Sequence, residues 1–270
     1  MIEACLAALA GLLIGSFLNV CIYRLPRDLS VIRPRSFCPE CERTIRWYDN
    51  IPLISFLVLR GRCRKCGARI RARYPAVEFL TAAAFFASFW FLGLSVAAVK
   101  FCALSAILIT LVFSDLEERI LPDEFTIGGA VIGVVFAYFV HLDWGIVGYL
   151  LRAFSNQGIV SVGESMFAAV FCSGSLWLVG TIYQKIRHRE GLGLGDVKMV
   201  GMIGAFLGLQ AALLALIAAS LLGALIGLCY IWFTGKDAST YELPFGSFLG
   251  IGALAVGFFL DVVRVGHLGQ

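Results

Sequence analysis

Apolar residues fall in eight long runs, separated by short polar stretches and one long polar insert. The runs cover residues 4–23, 76–92, 95–114, 124–142, 165–184, 197–207, 209–233 and 245–264. A helix needs about 20 apolar residues to cross a bilayer core, so most runs are long enough to span. The stretch from Val197 to Phe233 is too long for one span and is split at Gly208-Leu209-Gln210, giving a short sixth and a longer seventh helix. Arg24 and Arg27 close the first run, and Pro26 breaks it. Gly93 predicts a tight turn between the second and third runs, and residues 143–164 read as polar to interfacial. The pattern predicts an all-α, polytopic membrane protein of about eight transmembrane helices. It carries a small cysteine-rich insert at residues 24–74, and no internal repeat is evident.

Composition agrees. The chain is 60% hydrophobic and only 15% charged, which excludes an ordinary soluble domain. The net charge of +4 is unevenly placed, since residues 24–74 hold thirteen Lys and Arg against four Asp and Glu. Such a segment stays on the cytoplasmic side and rests against anionic lipid headgroups. That choice puts both termini outside. The 115–123, 184–198 and 234–244 loops then fall in the cytoplasm, where Lys185, Arg187, His188 and Arg189 agree with it. Nucleic acid is excluded as a partner, because the basic residues belong to no base-reading module. The first run leads into a basic loop without a small-residue cleavage site and reads as a retained helix.

Two carboxylate clusters sit at membrane entries. Gly193-Leu194-Gly195-Asp196-Val197-Lys198 precedes the sixth run, and Asp115-Leu-Glu-Glu-Arg-Ile-Leu-Pro-Asp123 follows the third. Charge at a membrane entry is costly unless it faces water or a partner, so both clusters are site candidates. Asp115 and Asp196 fall at one predicted depth. Two acids brought together there share a proton, one to activate water and one to donate to a scissile carbonyl, which is aspartyl-protease chemistry. Solvated helix-end acids are the plainer alternative for each taken singly. Lys198 is expected to bias which acid ionises. Asp123 is expected to N-cap the fourth helix.

Cys38-Pro39-Glu40-Cys41 and Cys63-Arg64-Lys65-Cys66 are two C-x-x-C pairs 21 residues apart. In a reducing compartment that spacing favours a closed, structural four-thiolate Zn2+ site over disulfides. Cys5, Cys21, Cys102, Cys172 and Cys229 lie in apolar runs and read as small buried hydrophobes.

These motifs together resemble the bacterial type IV prepilin peptidases, bifunctional leader peptidases and N-methyltransferases of the GxGD aspartyl protease class. The resemblance rests on Asp115 with Leu121-Pro122-Asp123, and on Gly193 to Lys198. It extends to Gly15-Ser16-Phe17-Leu18-Asn19-Val20, both C-x-x-C pairs, Arg73-Tyr74-Pro75-x-Val77-Glu78, and Pro244-Phe245-Gly246. It implies a multi-pass bacterial inner-membrane enzyme with its active site facing the cytoplasm. Residues 1–92 would form an N-terminal part and 93–270 a membrane aspartyl peptidase domain. Asp115 and Asp196 would be catalytic, with Gly193, Gly195 and Lys198 in support. The substrates implied are type IV prepilins or type II secretion pseudopilins. S-adenosyl-L-methionine is implied for methylation of the new amine, although no Rossmann glycine fingerprint is present. Glu78 is a candidate to bind an amine or sulfonium, or equally an interfacial residue paired with an Arg. A proton-coupled transporter with paired carboxylates and a zinc-stapled scaffold are the rivals from other classes.

Overall fold

The computed structural model describes residues 1–142, 145–150, 156–188, 191, 193–234 and 244–268. Arg189, Leu192 and most of the 234–244 loop lie outside the described residues. Ten helices are described: α1 Ile2–Arg24, α2 Ile54–Val58, α3 Arg73–Leu92, α4 Val96–Glu118, α5 Asp123–Phe139, α6 Ile146–Leu150, α7 Gln157–Arg187, α8 Leu194–Leu207, α9 Leu209–Thr234 and α10 Phe245–Leu268. All eight apolar runs are helical. Among the described residues five helices are long and apolar enough to cross a membrane: α1, α3, α4, α7 and α9. The chain divides into two compact units, Met1–Ser114 and Asp115–Gln270, so the last turn of α4 belongs to the second.

In the first unit α1 packs along α3. Gly11 and Gly15, four residues apart, make the contact possible. A Cβ on either would lie 2.8 Å from a backbone Cα of α3, that of Ala82 or Glu78. Small residues at this spacing let membrane helices approach closely enough for dispersion to hold them. Asn19 fastens the polar end of the pair, donating from Nδ2 to Gly15 O at 3.3 Å and Tyr74 O at 3.0 Å. Pro26 cannot extend α1, and the chain leaves through a 3-10 turn, Leu25–Arg27, into left-handed Asp28.

In the second unit α8 is the centre. Its residues from Met199 to Leu207 are all buried, as expected of a helix apolar on every side. α5 and α7 flank it. Gly133 of α5 lies against the backbone of Ala205 and the ring of Phe206, and Gly204 lies against the backbone of Ala168 on α7. Ser165 Oγ donates to Ala205 O at 2.7 Å. α8 ends at Gly208, whose φ of +82° suits glycine, so the helix breaks at the expected split. α7 departs from expectation. It begins at Gln157, inside the stretch read as interfacial, because Asn156 Oδ1 accepts from Gly158 N and Ile159 N and caps it there.

Candidate active site and metal centre

Asp115 lies in the last turn of α4 and is 6% exposed. Its Oδ2 accepts two hydrogen bonds from the start of α10, from Ser247 N at 2.7 Å and Ser247 Oγ at 2.8 Å. Asp196 lies half-buried in the first turn of α8, whose N-cap is Gly193. Its carboxyl accepts from the Gly193 backbone and lies within electrostatic reach of Asp115. Burial first, and the Asp115 charge second, push the Asp196 carboxyl up to about 6. The structure therefore brings the two sequence-predicted acids together, although they are far apart along the chain.

Leu121 is the wedge that assembles them. A Cβ on Gly195 would lie 3.1 Å from Leu121 Cβ. One on Gly246 would lie 3.1 Å from both Leu121 Cδ1 and Asp115 Oδ2. These glycines let α8 and α10 close onto the connector without a side chain in the way. The Leu-Pro-Asp, Gly-x-Gly-Asp and Pro-Phe-Gly segments thus pack at one place.

One expectation is corrected. The N-cap of α5 is Pro122, and Asp123 is already the first helical residue, so its carboxylate is not the cap. That carboxylate instead takes Lys198 Nζ at 2.7 and 2.9 Å. Lys198 is thereby drawn to the exposed Asp123. Ser247 went unnoticed in the sequence, since a lone serine one residue past Gly246 carries no signal by itself.

The four insert cysteines converge. Their sulfurs all lie within 4.8 Å of one another, and Cys38 Sγ is 3.8 Å from Cys66 Sγ. A tetrahedral zinc with Zn–S near 2.3 Å requires about 3.8 Å between sulfurs, so the donor set fits a metal ion. The two pairs also form a structural repeat, at an offset that carries Cys38 onto Cys63. Cys38 N donates to Arg43 O as Cys63 N does to Ala68 O, and Glu42 N returns to Cys38 O as Gly67 N does to Cys63 O. Glu42 and Gly67 share a positive φ, and antiparallel bridges at Phe37–Thr44 and Arg62–Arg69 flank each turn. The sequence echo is Cys-x-x-Cys followed by Ile45-Arg46 and Ile70-Arg71, too short to stand out as a repeat by itself.

Beneath this insert lies a cavity of about 420 Å3, lined in part by Asn19, Tyr23, Arg43, Arg69, Tyr74 and Glu78. Glu78 Oε2 accepts from Leu53 N at 2.8 Å. Asn19 spends both amide hydrogens on backbone carbonyls, and its buried Oδ1 finds no partner among the described residues.

Comparison with known proteins converges on one family. A model of the bacterial peptidase A24 N-terminal domain matches residues 9–92, and one of the type IV leader peptidase family matches residues 102–228. The prepilin leader peptidase/N-methyltransferase of Myxococcus xanthus is 39% identical over 86% of this chain, which spans 64% of that protein's length. The protein of that name from Legionella pneumophila is 32% identical, covering 97% of this chain and 93% of its own. That from Pseudomonas aeruginosa is 31% identical over 90% of this chain and 86% of its own. No solved structure matches. The chain belongs to the type IV leader peptidase family.

Proposed function

We propose that this multi-pass inner-membrane protein removes the leader from type IV prepilins, or from type II secretion pseudopilins, and then methylates the amine that cleavage exposes. Asp115 and Asp196 are the proteolytic pair. The observation that carries this is the pairing of Asp115, held by Ser247, with an Asp196 that keeps its proton to about pH 6. The two donors from Ser247 hold the Asp115 carboxyl in place at the end of α4. Asp115 then takes a proton from a water molecule as that water's oxygen bonds to the scissile carbonyl carbon. Asp196 gives its proton to the carbonyl oxygen. Collapse of the tetrahedral intermediate expels the amine of the mature chain, which takes the proton that Asp115 received, while one hydroxyl proton of the intermediate returns to Asp196 and leaves the leader as a carboxylic acid. No covalent enzyme intermediate is needed. Gly195 supports the site by letting the first turn of α8 approach Leu121, Gly193 by leaving the space beside Asp196 Oδ2 clear of a Cβ, and Lys198 by tying α8 to Asp123.

Cys38, Cys41, Cys63 and Cys66 would hold one structural Zn2+, and the 3.8 Å sulfur spacing supports it. S-adenosylmethionine supplies an electrophilic methyl group when bound. The residues to hold its ammonium, or the pilin amine, are the acceptors Glu78 and Asn19 beside the cavity. The basic 24–74 segment supports a cytoplasmic site facing anionic lipid. Against the transporter alternative, both acids stand at helix ends rather than mid-helix.

Purified protein incubated in detergent with a prepilin, with and without S-adenosylmethionine, tests this by product mass. The expected products lack the leader, and gain one methyl group only when the donor is present. An intact prepilin in both reactions would contradict the proposal.

A further inference from the structure

α2, the short helix between the two cysteine knuckles, is built inside out for a water-facing element. It turns Ser55 and Phe56 inward and three aliphatic side chains outward. Ser55 Oγ accepts from Ile51 N and donates to Tyr48 O, and the Phe56 ring packs under Gly61. Ile54, Leu57 and Val58 point away from the protein, and Leu57 is 74% exposed. Trp47, in the adjoining 3-10 turn Trp47–Asn50, is 73% exposed. An apolar patch of this kind marks a surface that is covered in use.

The depth of the helix says by what. Leu53, immediately before α2, donates its N–H to Glu78, which lies five residues into the membrane-crossing helix α3. At 1.5 Å per residue that is about 7 Å along α3 from its polar start. α2 is therefore level with the part of α3 that enters the bilayer. The chain around it is basic, with Arg43, Arg46, Arg60, Arg62 and Lys65 exposed. Aliphatic studs, an exposed tryptophan and a basic surround are what an interfacial helix presents to anionic lipid.

We propose that α2 is a monotopic anchor, with Ile54, Leu57, Val58 and Trp47 seated in the headgroup–acyl boundary of an anionic bilayer. The anchor holds the cysteine insert and its cavity against the membrane surface. It does not depend on the catalytic assignment.

The test uses the full-length protein in vesicles of phosphatidylethanolamine and phosphatidylglycerol. An environment-sensitive fluorescent amino acid is introduced by codon suppression at position 57, and at position 50 as a reference. The expected result at 57 is blue-shifted emission quenched by shallow doxyl-labelled lipid and shielded from aqueous iodide, with stronger iodide quenching at 50. Iodide quenching at 57 without doxyl quenching would overturn the proposal. So would emission at 57 that shifts only when a prepilin is added, since the face would then belong to the substrate. Paired Leu57→Glu and Val58→Glu changes should cut doxyl quenching several-fold at a reporter placed at 54. Metal content per chain is measured alongside to check that the insert remains folded. Unchanged quenching in a folded variant would also overturn it.

Discussion

Ser247→Ala isolates the buried hydroxyl that bonds Asp115. The substitution removes one of two donors on Oδ2 and keeps the backbone donor at 2.7 Å. A hydrogen bond to a charged group contributes about 1.5–3 kcal/mol. The carboxylate is only 6% exposed, so water replaces the hydroxyl poorly. Each 1.36 kcal/mol is a factor of ten in rate, so kcat for prepilin cleavage should fall about 10- to 100-fold. The hydroxyl is committed to Asp115, so KM should barely move. Ser247→Thr retains the oxygen and should restore most of the rate. The assay is steady-state cleavage by purified, detergent-solubilised protein, with thermal unfolding as the control for folding. A Ser247→Ala enzyme with wild-type kcat would refute the reasoning, as would a loss carried wholly by KM.

The remaining predictions concern the metal, the proton and the connector. Cys63→Ser should lose bound zinc by elemental analysis and depress methylation, while cleavage survives in part because both acids lie in the second unit. Asp196 keeps its proton up to about 6, so its capacity to donate is present below that pH and lost above it. Cleavage measured across a pH series should therefore decline on the alkaline side, and Asp196→Asn should erase both the limb and the activity. Asp123→Asn breaks an exposed ion pair with Lys198, which is worth less than about 1 kcal/mol, so most cleavage should remain in the same assay.

Much of this is legible in the sequence. Eight apolar runs became eight helices because backbone groups in apolar surroundings must be hydrogen-bonded within their own segment, and hydropathy is a property of local sequence. The break at Gly208 was visible because it needs a glycine-tolerant φ. The acids were legible through charge placed beside apolar runs. What stayed hidden depends on partners remote in sequence. Ser247 matters only because α10 returns to the end of α4, 132 residues away. Lys198 stands two residues from Asp196, yet a carboxylate 75 residues away captures it. The second knuckle repeats the first in backbone hydrogen bonds more than in residues. α2 has too few residues to give a periodicity, and only its Leu53–Glu78 tie reveals its depth.

The central claim is that Asp115 and Asp196 act as one unit, and the most direct measurement is prepilin cleavage by Asp115→Asn, Asp196→Asn and the double variant. Each change keeps the side chain's size and removes its titrating carboxyl. Either single change should nearly abolish cleavage, and the double variant should be little worse than either, because groups that work together are lost together. Near wild-type cleavage by Asp115→Asn, with Asp123→Asn inactive, would contradict the account and move the pair to Asp123 and Asp196.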